Sequence, residues 1–316
     1  MVISDRQLRE LLGRCWAGPV AWDEPLAKWS SLRVGGPARA LVQPGSIEAV
    51  RRLIMACMEV GLPWLVIGGG TNLLVGDAGF PGLVLVVGRN FSGISECGFD
   101  RDGRTLVKVE AGCALARLLG WSLRRGLSGL EFSVGIPGSV GGAVVMNAGA
   151  WGREIKDVLA GLHLLLPGGE VDYRERRALD FSYRRWSGPA GVLVLSATFA
   201  LSSGDPAVIK AVCREHLQAR KNKQPRGVAS AGSFFKNPDG DFAGRLIEAA
   251  GLKGLTVGGA RVSEIHANFL VNSGGATATE MLALMRLVQE KVMSRFGVWL
   301  EPEVRIITEA CLVVGS

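Results

Sequence analysis

The 316-residue chain is poor in the residues that build metal centres, disulfide frameworks and hydrolase triads. It has three histidines (163, 216 and 266) and six scattered cysteines (15, 57, 97, 113, 213 and 311), with no Cys-x-x-Cys pair. That scatter argues against a zinc module and against a disulfide-stapled scaffold, so no metal site is expected. Tyrosine occurs only as Tyr173 and Tyr183. No apolar run reaches the ~18 residues of a membrane span. The start, Met1-Val-Ile-Ser-Asp-Arg, lacks the apolar core of a signal peptide, so a cytoplasmic, membrane-free protein is expected. A P-loop, a Gly-x-Gly-x-x-Gly fingerprint and a Gly-x-Ser-x-Gly elbow are all missing, as are repeats and low-complexity tracts.

Glycine is what the chain has in excess: 44 residues, about twice ordinary usage, in clusters without a period. This suggests backbone-lined loops. The net charge of +7 is modest, and its densest groups are Arg174–Arg177, Arg184–Arg185 and Arg220–Arg226. A solvated face or an anionic small ligand fits these groups; a nucleic-acid partner does not, because no basic stripe with interleaved aromatics exists.

Length predicts two domains or three. Spacing predicts helices over 5–14, from the N-cap Ser46 to Gly61, and over 115–125, with strands at 39–43, 64–67, 83–87 and 105–110. The segment Phe132–Gly149 fits neither type. A hairpin is expected at 162–172, a strand at 192–201 and a helix over 205–221. After a polar, turn-rich junction at 223–238 come a helix near 241–250 and a second with the capping box Thr277-x-x-Glu280. Short strands at 298–300 and 304–308 close the chain. Strands and helices are interspersed without strict alternation, which favours α+β over a doubly wound sheet.

Four clusters invite a chemical reading. Gly68-Gly69-Gly70-Thr71-Asn72 follows a strand, and could be a tight turn or a nest of N–H groups for an anion. Gly135-Ile136-Pro137-Gly138-Ser139 could be a bend at a packed seam. Ala231-Gly232-Ser233-Phe234-Phe235-Lys236-Asn237-Pro238 holds either a turn serine or a serine that acts on an anionic ligand. Glu301-Pro302-Glu303-Val304-Arg305 has the look of surface ion pairs when taken alone.

In this order, over nearly the full length, the four clusters resemble the UDP-N-acetylenolpyruvoylglucosamine reductase (MurB) family. The two glycine loops alone indicate the wider group of flavoproteins with the same FAD-binding module; the serine cluster and Pro-Glu-Val-Arg narrow it. The resemblance implies a two-subdomain, vanillyl-alcohol-oxidase-like (PCMH-type) FAD module followed by an α+β substrate domain. The subdomains would span 1–90 and 91–222 and the substrate domain 223–303, with strand 304–316 a candidate to join the first.

The resemblance further implies that Gly68, Gly69, Gly70, Thr71 and Asn72 take the FAD pyrophosphate. Gly135, Ile136, Pro137 and Gly138, with Ser133 and Asn147, would line the flavin. Arg184, in Phe181-Ser182-Tyr183-Arg184, matches the family's catalytic arginine, Ser233 its proton donor and Glu303 the carboxyl group beside the reacting centre. Tyr183, Lys223 and Asn237 match substrate positions. The reaction would reduce UDP-N-acetylglucosamine enolpyruvate with NADPH through FAD, in peptidoglycan precursor synthesis, without an obligatory protein partner. Some members fold a loop tyrosine over the substrate. Here no tyrosine follows Tyr183, so the chain resembles the loop-less subgroup. Two other readings fit parts of the pattern: an FAD-dependent oxidase on the same module, and a non-enzymatic nucleotide-sugar binder.

Overall fold

The computed structural model describes residues 3–88 and 90–308. Three sheets of four or more strands, each covered by helices, give the α+β architecture. In the first sheet the order is Ala21–Pro25, Pro37–Val42, Phe80–Val86, Trp64–Ile67, and the last three run parallel. Parallel strands are covered on both faces, which is why their sequences read as apolar runs. Leu83 and Leu85 face the helices Asp5–Cys15 and Ile47–Glu59, while Val84 and Val86 face a separate small core with Leu26 and Ile307.

The second sheet is antiparallel, in the order Val171–Glu175, Leu159–Leu165, Leu193–Ser203, Thr105–Glu110, Ile94–Phe99. The helices Leu115–Arg124, Val140–Val145 and Pro206–Lys223 accompany it. Val140–Val145 corrects the sequence reading of 132–149 as neither helix nor strand. Gly141 and Gly142 conceal it, since glycine is a poor helix former. Packing selects Gly141, because a Cβ there would meet Ala111 Cβ at 2.9 Å.

The third sheet, in the order Ala229–Ser230, Leu270–Asn272, Ala260–Val262, Thr256–Val257, packs with the helices Ala243–Ala249 and Ala278–Phe296. Both bonds of the Thr277/Glu280 capping box form, and Met281, Met285, Val288 and Val292 are buried. The strand expected at 298–300 does not form. Leu300 is buried, but its carbonyl accepts from Gln289 Nε2 at 2.8 Å, so a side chain replaces the ladder partner.

A strand pair and a helix cap tie this region to residues 73–77, which lie between Trp64–Ile67 and Phe80–Val86 of the first sheet. Arg305–Ile307 pairs parallel with Leu73–Val75; the remainder of the expected strand, beyond Thr308, lies outside the described residues. Asp77 accepts from the N–H groups of Ala278 (2.7 Å) and Thr279 (2.9 Å) and from Thr279 Oγ1 (2.7 Å), at the start of the 19-residue helix. Partial burial pushes the Asp77 carboxyl up, but the hydrogen bonds from Thr279 and Ala278 outweigh it and hold the group below its ordinary value. Asp77→Ala is expected to cost about 1 kcal/mol, as a lost cap does. A lowered carboxyl pKa stabilises above the unfolded value and is lost as pH falls through the folded one. Thermal melts should therefore separate variant from wild type at neutral pH and converge in acid.

Candidate active site

Two glycine turns meet at the centre of the molecule. Strand Trp64–Ile67 delivers Gly68–Asn72 against Gly135–Ser139: a Cβ on Gly69 would lie 2.7 Å from Gly138 Cα, and one on Gly68 would run into Ser139 Oγ. Gly70 (φ 60°), Gly135 (φ 74°) and Gly138 (φ 113°) hold conformations that side chains disfavour. Thr71 Oγ1 donates to the Pro137 carbonyl at 3.4 Å, which pins one turn on the other. Among the described residues, none of the N–H groups of Gly68–Asn72 is hydrogen-bonded within the chain. A row of unpaired donors with no Cβ in the way suits a pyrophosphate. Beside it, at the carboxyl ends of Pro37–Val42 and Phe80–Val86, a cavity of about 290 Å³ is lined by Trp29, Gln43, Pro44 and Val86.

The other chemistry-bearing segments are bound to these turns. Asn72 Nδ2 donates to the Glu303 carbonyl (3.1 Å), and Asn72 O accepts from Arg305 N–H (3.0 Å). Glu303 N–H in turn donates to Phe234 O at 2.9 Å, and Lys236 N–H to Glu301 O at 2.8 Å. The serine cluster and the Glu-Pro-Glu-Val-Arg segment thus run side by side. Buried Asn268 holds the serine cluster, bonding both the N–H and the carbonyl of Phe235. Ser233 is half-buried and adjoins the peptide that Glu303 binds; among the described residues its Oγ has no hydrogen-bond partner.

Arg184 reaches the same point from the hairpin Phe181–Ser182/Arg185–Trp186, where it takes a left-handed φ of 55°. Its Nε lies 3.0 Å from Glu303 Oε1, the two side chains being 21% and 17% exposed. Burial raises the Glu303 pKa, opposed by Arg184 and then by Lys236. The carboxyl therefore takes up a proton more readily than a surface glutamate does.

Ser133 and Asn147 depart from the expected direct flavin contacts. Ser133 is buried, with its Oγ donating to Leu130 O at 2.6 Å. Asn147 is 0% exposed and spends its amide on Glu154 Oε2, the Ser182 carbonyl and Lys156 N–H. It props the hairpin that carries Arg184, so it positions rather than contacts. Tyr183 is exposed, its ring beneath the Arg184 guanidinium at 4.9 Å. Lys223 ends the helix Pro206–Lys223, and exposed Asn237 accepts from Ala243 N–H, capping the next helix.

Sequence reasoning missed Arg220, which it placed in a basic group with a solvated face among its readings. Its Nε is buried and has no partner among the described residues, and burial, then Arg184, lowers its pKa. The signal was available: Arg220 shares a helix face with buried Ile209 and Cys213.

The fold and its paired glycine turns are those of an FAD-binding oxidoreductase, as the proteins it resembles show. Residues 38–172 match the FAD binding domain model, and residues 224–307 match the C-terminal domain model of UDP-N-acetylenolpyruvoylglucosamine reductase. The Rubrobacter xylanophilus UDP-N-acetylenolpyruvoylglucosamine reductase is 46% identical over 91% of this chain and 95% of its own length. That of Desulfosudis oleivorans is 43% identical over 96% and 99%. The crystal structure of the Thermus caldophilus enzyme is similar with a TM-score of 0.77 at 36% identity, covering 92% of this chain and 98% of that one. The chain belongs to the UDP-N-acetylenolpyruvoylglucosamine reductase family. Among the described residues, no helix is long and apolar enough to cross a membrane.

Proposed function

We propose that the protein reduces the enolpyruvyl ether of UDP-N-acetylglucosamine enolpyruvate to the lactyl ether of UDP-N-acetylmuramate, with NADPH as electron source, in cytoplasmic peptidoglycan precursor synthesis. The observation that carries this is the half-buried Arg184–Glu303 pair, bonded through Asn72 to the glycine turn and through Phe234 to the serine cluster. Bound FAD supplies a hydride for the terminal vinyl carbon. Negative charge then develops beside the substrate carboxylate as an enolate, and a fixed, partly desolvated cation stabilises it. Arg184 is that cation, with Glu303 holding its fork in place. Ser233 protonates the alpha carbon as general acid. Lys236, three residues on, is the nearby cation that would make the serine alkoxide tolerable, its Nζ now resting on Glu301 at 3.1 Å. Lys223, Asn237 and Tyr183 serve as substrate-binding positions.

A protein purified with a flavin spectrum should oxidise NADPH only when the enolpyruvyl nucleotide sugar is present. Flavin without such turnover would refute the reading. The pH profile gives the sign of the Glu303 role. If the anion orients Arg184, kcat/KM falls as pH drops through the raised Glu303 pKa, so the acid limb lies above the ordinary glutamate range. Glu303→Gln should be slow and lack that limb. A fall with rising pH over the same range would mean that the protonated form is the active one.

A further inference from the structure

Trp151 sits where the local rules ask for another residue. The hairpin Gly149–Ala150/Arg153–Glu154 turns through only Trp151 and Gly152, both left-handed at φ 58° and 75°. A two-residue turn with positive φ at both positions favours Asn-Gly, and a bulky aromatic at the first is strained. Burial does not explain the choice, since Trp151 is 43% exposed. Its ring instead lies flat on His216, with centroids 4.5 Å apart and planes 10° apart, so the residue is partly exposed although one face is covered. His216 and Arg220 are four residues apart on one helix, hence on one face and about 6 Å apart along the axis. Arg220 is held from behind by the second glycine turn: a Cβ on Gly135 would meet its Cδ at 2.9 Å. Among the described residues its buried Nε has no partner, and its neighbour in charge is another cation, Arg184. The site therefore offers a partly exposed aromatic ring and, one helical turn from the histidine beneath it, a cation that has no ion-pair partner among the described residues.

We propose that Trp151, backed by His216, stacks the base of an exchangeable nucleoside diphosphate whose phosphate is taken by Arg220. The inference rests on the reductase reading for its two nucleotide sources, the UDP-sugar and NADPH. It also gives a chain without a lid tyrosine a surface that covers the bound nucleotide.

The test is calorimetric titration of the FAD-loaded protein with UDP and, separately, with NADP+, neither of which turns over. Trp151→Asn suits the turn and should melt no lower than wild type, yet bind the responding nucleotide roughly 5- to 150-fold more weakly, the range of a lost base–aromatic stack. Trp151→Phe should retain most of the affinity. Arg220→Gln should weaken the same nucleotide and flatten its salt dependence. Loss in the UDP arm assigns the shelf to the sugar nucleotide, and loss in the NADP+ arm to the reductant. Wild-type affinity of Trp151→Asn in both arms would overturn the proposal. So would a failure of the wild type to bind either nucleotide, or a loss of FAD in place of a loss of nucleotide. Turnover of the enolpyruvyl substrate by the wild type is measured apart, so failure of the reductase reading and failure of the shelf are distinguishable.

Discussion

Replacing Ser233 by alanine is expected to slow reoxidation of the reduced holoenzyme by the enolpyruvyl substrate by about 10²–10⁴-fold, as a lost general acid does. Bleaching of the flavin by NADPH should stay near the wild-type rate, because that half of the cycle needs no proton at the substrate's alpha carbon. Ser233 belongs to the segment bonded to Glu303, the carboxyl group paired with Arg184. Cysteine at this position should restore part of the rate, since a thiol is the more acidic donor. Rapid mixing resolves the two phases. Wild-type reoxidation in the alanine variant, or a defect confined to bleaching, would remove Ser233 from the proton-donor role.

Gly69→Val is expected to abolish FAD retention. The cause is steric and lies within the protein: a Cβ at Gly69 meets the Gly138 backbone at 2.7 Å, and backbone cannot swing aside as a side-chain tip can. The valine would pry the two turns apart and remove the cradle for the pyrophosphate. Gly69→Ala should show a weaker form of the same defect. The ratio of flavin to protein absorbance after gel filtration reads it, with circular dichroism confirming that the chain is folded. A folded valine variant that keeps its flavin would detach the cofactor from these turns.

The sequence made some of this legible and concealed the rest for physical reasons. Residues 105–110 alternate because one sheet face is packed, and the Thr277/Glu280 box announces its helix because capping is local chemistry. Glycines needed for positive φ at Gly70, Gly135 and Gly138 stand out for the same reason. Features that depend on distant partners do not. The helix Val140–Val145 contains a glycine, Gly141, selected by contact with Ala111, and Leu300 leaves the strand pattern because Gln289 satisfies its carbonyl. Asn147 beside a glycine loop reads as a ligand contact until Ser182, Glu154 and Lys156 are seen to consume its amide. Arg220 and Trp151 were hidden likewise: a basic run resembles a solvated face, and a tryptophan before glycine gives no hint of the histidine beneath it.

The central claim is that reduced flavin in this site passes its electrons to an enolpyruvyl nucleotide sugar. Anaerobic mixing of the dithionite-reduced holoenzyme with UDP-N-acetylglucosamine enolpyruvate tests it most directly. The oxidised flavin spectrum should return without oxygen, with one lactyl ether formed per flavin. A spectrum that stays bleached in the presence of the enolpyruvyl nucleotide sugar would contradict the claim.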